Sequence, residues 1–356
     1  TVAGSRAGKG VSAIVPNLLV YPGSVLVLDP KGDNAVITAR RRKEMGQDVY
    51  ILDPFGVCDG LPVASYNPLD IIDINSDFCV DDAALIADAI IIDAKGDNQY
   101  FTSAAKNWIR GLILHICALE PDHSRNLVTL REMLTASESV RAGLIEEMQN
   151  NPAAFGVIRR AANAMEGKGE KERAAVLATA IEQTDFLDSP ALQRVLTRSD
   201  FSLYDLKSER GISVFLSLPA GRMPTHARWF RIFVNLALEA LERRAKPPKH
   251  PVLIIMDEFP ILGYMEAVEK ASGLVAGFGV RLWPIIQDLS QLQALYEKSW
   301  ETFVGNAGLL QFFGNSDLTT LKYISNRLGE STVTTESGSK GEVSVAQAAA
   351  GFTGES

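Results

Sequence analysis

Lys9 closes the run Ala3-Gly4-Ser5-Arg6-Ala7-Gly8-Lys9-Gly10. A glycine-rich loop ending in Gly-Lys can wrap backbone N–H groups around a phosphate while the lysine reaches the outer oxygens. The following Val11-Ser12-Ala13-Ile14-Val15 reads as the start of a helix, and a helix N-terminus adds free N–H groups and a favourable dipole to anion binding. Gly4, Ser5, Arg6, Ala7, Gly8, Lys9, Gly10 and Val11 are therefore the candidate nucleotide-binding residues. Two positions depart from G-x-x-x-x-G-K-[ST]. Ala3 stands where the first Gly is expected, and Gly10 stands where a Ser or Thr normally holds Mg²⁺. On this run alone, a nucleotide site and a plain glycine-rich turn stand level.

The partner groups are distant in sequence. Val252-Leu253-Ile254-Ile255-Met256 is an uninterrupted apolar run that ends in Asp257-Glu258. Such a run suits a strand buried on both faces of a parallel sheet, and acids at its C-terminal tip lie where open α/β sheets bind ligands. Asp257 is placed to hold Mg²⁺, directly or through water, and Glu258 to polarise a water for attack on a γ-phosphate. A second strand candidate, Val280 to Gln287, ends in an amide that could sense the γ-phosphate or orient water. The bland alternatives are a solvated acidic turn and an idle glutamine. The order Lys9, Asp257-Glu258, Gln287 argues against both, and makes Lys9, Glu258 and Gln287 the candidate catalytic residues.

The elements that must position these groups read as α/β at both ends with a helical middle. Ser24 to Asp29 and Asp48 to Asp53 are buried-strand patterns joined by a basic helix from Asn34 to Met45, the strand–helix–strand unit of a parallel sheet. The strand ending at Asp29 is expected beside the phosphate-loop strand, so that Lys31 and Asp33 face either the nucleotide or a subunit interface; a turn closed by Gly32 is the plainer reading. From about Asp81 to Asp200 the pattern is helical, the clearest helices being Tyr100 to Leu119, Leu130 to Asn150, Ala153 to Met165 and Arg173 to Phe186. Tyr100, Phe101 and Trp108 read as core contacts rather than a binding stripe. The sheet resumes with Gly211 to Leu218, an amphipathic helix from Ala227 to Arg244, the Asp257 strand, a short strand from Gln311 to Gly314 and a helix from Leu318 to Leu328. Residues 1–94 thus read as the first part of a nucleotide-binding domain, 95–200 as an inserted all-α domain, 201–330 as the second part, and 331–356 as a flexible Ser/Gly-rich segment.

With 356 residues, 46% of them hydrophobic and 22% charged, the chain can bury one large core or two smaller ones. A net charge of −8 gives no global basic footprint for nucleic acid, which argues against a compact DNA-binding module but not against a ring that handles DNA through local charge. Cys58, Cys79 and Cys117 have neither metal spacing nor a disulfide framework, which favours a reducing compartment. No apolar run reaches the length of a membrane span. Only Thr1-Val2 precede the phosphate loop, so the expectation is a fragment of a longer protein.

Several strings then occur in a telling order: the loop Ala3–Gly10, Asp29-Pro30-Lys31-Gly32-Asp33, Tyr66-Asn67-Pro68-Leu69, Tyr100-Phe101, Asp257-Glu258-Phe259-Pro260-Ile261-Leu262-Gly263, and Ile286-Gln287-Asp288-Leu289-Ser290-Gln291-Leu292. From Thr1 to about Val333 the chain resembles the type IV secretion coupling proteins, the conjugal-transfer ATPases of the TraG/TraD and VirD kind. The resemblance implies a RecA-like P-loop NTPase domain with a mostly parallel sheet, an inserted all-α domain for substrate recognition, and an N-terminal membrane anchor. It also implies ATP and Mg²⁺ as cofactors, a homo-hexamer, and a place at the cytoplasmic face of the bacterial inner membrane. The implied partners are DNA with its relaxase, or secreted effector proteins, together with components of the secretion channel. Gly-Lys-Gly is a tolerated phosphate-loop variant in that family, with Mg²⁺ then leaning on phosphates, water and Asp257. Ala3 remains a departure that could tighten the loop. The arginine that such ATPases borrow from a neighbouring subunit is not evident, since Val275-Ala276-Gly277 stands where some members carry it; Arg281, Arg222 and Arg228 are the remaining basic residues, each more readily read as a surface salt-bridge partner. Two other functions share these features: a DNA translocase of the FtsK/HerA kind, and a substrate-docking adaptor with weak ATPase activity. The long helical insertion before the Asp257 strand favours the coupling protein over the translocase, and intact Lys9, Asp257, Glu258 and Gln287 argue against the adaptor.

Overall fold

In the computed structural model, residues 1–94, 98–119, 124–244 and 246–329 are described; the Ser/Gly-rich stretch 331–356 lies outside them. Among the described residues there are seven strands and fourteen α-helices. They are β1 (Val2–Ala3), α1 (Val15–Val20), β2 (Val25–Asp29), α2 (Asp33–Glu44), β3 (Asp48–Leu52), α3 (Cys79–Ile90), α4 (Gln99–Cys117), α5 (Leu127–Thr135), α6 (Glu138–Asn150), α7 (Val157–Glu166), α8 (Glu170–Gln183) and α9 (Pro190–Val195). The chain continues through β4 (Ile212–Ser217), α10 (Met223–Arg243), β5 (Val252–Met256), α11 (Glu266–Leu274), β6 (Val280–Pro284), α12 (Leu289–Tyr296), α13 (Trp300–Gly305), β7 (Phe312–Phe313) and α14 (Leu318–Leu328). Among the described residues, no helix is long and apolar enough to cross a membrane.

Five strands form a sheet in the order β3–β4–β2–β5–β6, every pair parallel. Beyond β6, Val2 bridges Ile286 and β1 pairs with β7, so the phosphate-loop strand stands past the Gln287 strand. The expectation that β2 adjoins β1 is corrected here: β2 lies between β4 and β5. Its side chains are buried on both faces, which suits a central position, whereas β1 contributes only Val2 and Ala3 to the ladder.

Alternation along the strands divides the core in two. Val25, Val27, Phe215 and Ile255 face α1 and α2, meeting Leu18, Ala35 and Ala39. Leu26, Leu28, Val214, Leu216, Ile254 and Met256 face the opposite way. That side is covered first by α10 and α3, and the buried cluster continues without interruption into α4, α5, α7 and α8. The helical stretch therefore shares its core with the sheet.

The single helix expected from Leu130 to Asn150 is two. Ala136 and Ser137 take extended backbone, Arg141 donates to the Ala136 carbonyl, and α5 buries Leu130 and Leu134 while α6 buries Leu144 and Met148. The break lets each short helix aim its own apolar stripe.

Candidate nucleotide site

The sheet topology brings the three sequence-distant groups together. Lys9 leaves β1 through its loop, Asp257 and Glu258 follow β5, and Gln287 follows β6, all at the C-terminal tips of neighbouring strands. The Lys9 ammonium lies 2.8 Å from Oδ1 of Asp257 and 2.8 Å from Oε1 of Glu258. The Gln287 side-chain amide donates to the other oxygen of Glu258, Oε2, at 3.2 Å. Glu258 is thus held at both oxygens by two residues that lie 249 and 29 positions away.

The electrostatics follow from this triangle. Burial pulls the Lys9 ammonium toward the neutral form, but the Asp257 and Glu258 carboxylates outweigh it and hold the pKa above the ordinary lysine value. Burial pushes Glu258 up, and the Lys9 contact, the Gln287 amide and the more distant charge of Lys31 together hold it below the ordinary carboxylate value. Glu258 is therefore an anion at neutral pH. Its backbone is left-handed (φ 57°), an uncommon state for a non-glycine residue. The amide of Glu258 donates to Asp257 Oδ1 at 3.1 Å, and the next residue, buried Phe259, is tied by its N–H to Ile285 O at 3.0 Å.

The loop accounts for one of the two departures from the usual pattern, Ala3, and leaves Gly10 without a substitute hydroxyl. Ala3 is fully buried as the last residue of β1, and its N–H donates to Ile286 O at 2.8 Å. The tight point is the next residue: a Cβ on Gly4 would stand 2.9 Å from the Gly314 carbonyl oxygen. Ala3 therefore leaves the loop unconstrained, because Gly4 supplies the close approach. Arg6 and Gly8 take left-handed backbone (φ 60° and 84°), and the chain enters α1 through a π-turn from Gly10 to Ile14. Ser12 donates its hydroxyl to Gly8 O at 2.7 Å, so it is engaged within the turn and does not replace the hydroxyl missing at Gly10.

Three neighbours were given no role at the site by the sequence alone. Asp29, at the tip of β2 and in register beside Asp257 on β5, is buried and accepts from Ala35 N at 2.8 Å and Asn34 Nδ2 at 3.0 Å. Burial, reinforced by the Asp257 charge and opposed by the backbone donors, pushes its pKa up to about 6. The sequence signal was the Asp-Pro ending of the strand. Asn315 holds the Gln287 carbonyl at 3.1 Å, and Gln291 accepts the Gln287 N–H at 3.0 Å; the Gln291 spacing, four residues on, was readable and the Asn315 contact was not.

The other candidates separate. Lys31 is exposed and lies within electrostatic reach of Glu258. Arg228 is turned inward onto Ile90 O (3.0 Å) and Gln183 (2.9 Å). Arg222 stacks over Phe55, and Arg281 is exposed on β6 beside a groove of about 650 Å³ that none of Lys9, Asp257 and Glu258 lines. Phe101 packs against the core and Trp108 is buried, whereas Tyr100 is on the surface beside Lys168 and Glu172.

A parallel sheet with the phosphate-loop strand past the glutamine strand, the acid strand next, and helices inserted between β3 and β4 is the fold of a RecA-like P-loop NTPase carrying a helical insertion. The same chain matches the profile of the type IV secretory system conjugative DNA transfer family over residues 1–351, and it belongs to that family. It is 30% identical over 337 residues to protein VirD4 of Agrobacterium fabrum (strain C58 / ATCC 33970), covering 93% of this chain and 49% of that protein. It is 28% identical over 360 residues to a conjugal transfer protein TraG of Escherichia coli, covering 94% and 55%. The chain thus spans about half the length of the curated relatives it matches. In fold it is similar to the plasmid coupling protein TrwB, solved in complex with the non-hydrolysable ATP analogue ADPNP, with TM-score 0.66, 17% identity and coverage of 85% of this chain and 67% of that one.

Proposed function

We propose that this chain is the ATP-hydrolysing part of a type IV secretion coupling protein. The observation that carries the reading is the Lys9 ammonium at 2.8 Å from both Asp257 and Glu258, with Gln287 on the far oxygen of Glu258. In a P-loop NTPase these are the cation for the outer phosphates, the metal-binding acid, the water-orienting base and the amide that reads the γ-phosphate. TrwB has also been solved in complex with ADP and Mg²⁺, which supports the same cofactors here. Among the described residues, no group of three or more His, Cys, Asp and Glu side chains clusters as a metal cage. Asp257 as the acidic ligand suits Mg²⁺, which is commonly held by one or two carboxylates, substrate phosphates and water.

In this reading Gly4 to Val11 present backbone N–H groups to the phosphates, and Lys9 moves from the two carboxylates onto the outer phosphate oxygens. Asp257 would carry Mg²⁺, whose chemistry is to neutralise charge on the transferred phosphoryl group. Glu258, freed on one side and still held by Gln287 on the other, orients the attacking water. The helical stretch 95–200 recognises the cargo, DNA with its relaxase or an effector protein. The full-length protein is a homo-hexamer, anchored N-terminally at the cytoplasmic face of the inner membrane and docked on channel components.

The test is Mg²⁺-ATP hydrolysis with single- and double-stranded DNA, alongside Glu258→Gln. DNA-stimulated turnover that the variant loses while retaining ATP supports a DNA-coupled motor. ATP bound without turnover under every condition would favour the docking adaptor, and normal turnover in the variant would move the base elsewhere.

A further inference from the structure

Arg231 is 5% exposed in the middle of α10, and among the described residues every hydrogen-bond partner of its guanidinium is a backbone carbonyl. Those carbonyls come from two separate places. Nη1 donates to Leu262 O at 2.6 Å and Tyr264 O at 2.7 Å, in the turn that follows Glu258. Nε donates to Ala89 O at 2.9 Å, with Asp88 O at 3.5 Å from Nη2, at the C-terminal end of α3. Helix C-termini leave carbonyls without intrahelical partners, and a cation there is favourable.

Both sides are built to receive it. On the nucleotide side, Gly263 has φ 68° and ψ −165°, a region that is essentially glycine's alone. The bend lets the carbonyls on either side of it converge on one guanidinium nitrogen. This gives the Leu262-Gly263 end of the acid-pair motif a purpose that phosphate chemistry does not. On the helical side, Arg228, one turn earlier on α10, donates to Ile90 O at 3.0 Å and to Gln183 Oε1 at 2.9 Å. Gln183 also accepts from Ile92 N at 3.1 Å. Lys106 on α4 closes the same junction, 3.1 Å from Asp88 and 2.7 Å from Asp93. The ends of α3 and α8 therefore meet at one face of α10, with Lys106 of α4 tied to the same end of α3, and Arg231 joins that junction to the Glu258 turn.

An apolar side chain would fill the same space, whereas a planar fork of donors fixes the relative position of two backbone segments. We infer that Arg231 is a positioning residue that couples the turn carrying Glu258 to the base of the helical insertion, so that the setting of the nucleotide site and the setting of the helices change together. The inference rests on the nucleotide reading above. It goes beyond that reading by naming the connection through which the occupied site would act on the cargo-facing helices.

Hydrogen exchange on the whole chain, with and without Mg²⁺-ADPNP, tests it, with analogue affinity measured on the same samples. In the wild type the analogue should slow exchange in residues 4–14, 258–264 and 85–94. In Arg231→Met the response of 4–14 should persist, while that of 85–94 falls at least twofold. Arg231→Lys keeps the charge without the fork and should fall between the two; it also takes the place of the methionine variant if that variant does not fold. An unchanged response of 85–94 in the substituted protein would overturn the coupling, as would its absence in a wild type that binds the analogue. Failure of the wild type to bind the analogue would instead remove the nucleotide reading, and this inference with it.

Discussion

Gln287 and Glu258 meet side chain to side chain at 3.2 Å across the tips of adjacent strands, and the backbone of Gln287 is itself held from both directions, by Gln291 and Asn315. An amide fixed in this way limits the carboxylate's choice of rotamer. Gln287→Ala should therefore lower kcat for ATP by about tenfold or more while leaving nucleotide affinity within about twofold, because correct placement of a general base accounts for roughly 10²–10⁴ in rate. Single-turnover hydrolysis and equilibrium nucleotide titration separate the two quantities. An unchanged kcat would reduce the contact to packing.

Lys9 sits between two carboxylates, so its removal has a consequence besides lost phosphate binding. Lys9→Ala should abolish nucleotide binding and also raise the pKa of Glu258, which then faces Asp257 with no cation between them. In the wild type, the depressed Glu258 value means that the pair's contribution to stability is present above the unfolded carboxylate value and is lost as pH falls through the folded one. Urea midpoints between pH 3 and 7 should accordingly rise less steeply with pH in the variant than in the wild type. Retained nucleotide affinity would remove Lys9 from the site.

The parts of this arrangement that were legible in the sequence are those encoded locally. The apolar runs ending at Asp29 and Met256 announce buried parallel strands by their lack of alternation, and the Gly8-Lys9 loop announces itself by composition. What sequence pattern does not carry is order across the sheet. Nothing in Val25 to Asp29 says that its neighbours are β4 and β5 rather than β1, because strand order follows from how the crossovers pack and from how many faces each strand must bury. The break at Ala136-Ser137 was hidden for a related reason, since both residues are compatible with a helix and only the divergent apolar stripes of α5 and α6 require one to end there. Asp29 was given no role at the site because an acid before Pro-Lys-Gly reads as a turn residue, whereas it follows Leu28, which pairs with Met256, and so stands beside Asp257.

Burial, with the Asp257 charge as a smaller contribution, gives Asp29 an unusual pH dependence. Its folded pKa of about 6 lies above the unfolded value of 3.8, so between those values the folded chain holds a proton that the unfolded chain has released. The stability from this group is present at low pH and is lost as pH rises through about 6. Asp29→Asn removes the titration while keeping one acceptor for Ala35 or Asn34. The difference in stability between variant and wild type should therefore shift in the variant's favour as pH is raised from 4.5 to 7, as read from urea midpoints. Parallel profiles would mean that Asp29 titrates like an exposed carboxylate.

Two glycines should respond to alanine with opposite signs. Gly143 lies within α6, and a Cβ there would meet nothing within 4 Å; Gly143→Ala should stabilise by about 1 kcal/mol, the helix-propensity difference. Gly263 offers comparable room, since its nearest neighbour would be Arg231 Nη1 at 3.9 Å, yet its φ of 68° and ψ of −165° exclude an L side chain. Gly263→Ala should therefore destabilise by roughly 1–3 kcal/mol, the cost of holding a residue in so sparsely populated a region, or else relax the turn and withdraw a carbonyl from Arg231. Chemical denaturation gives the cost. Nucleotide affinity with kcat, measured on the same variant, separates the two outcomes, because strain borne in place leaves Glu258 where it is, whereas a relaxed turn moves it. A Gly263→Ala protein as stable and as active as the wild type would mean that the convergence of Leu262 and Tyr264 on Arg231 is not needed to hold the turn.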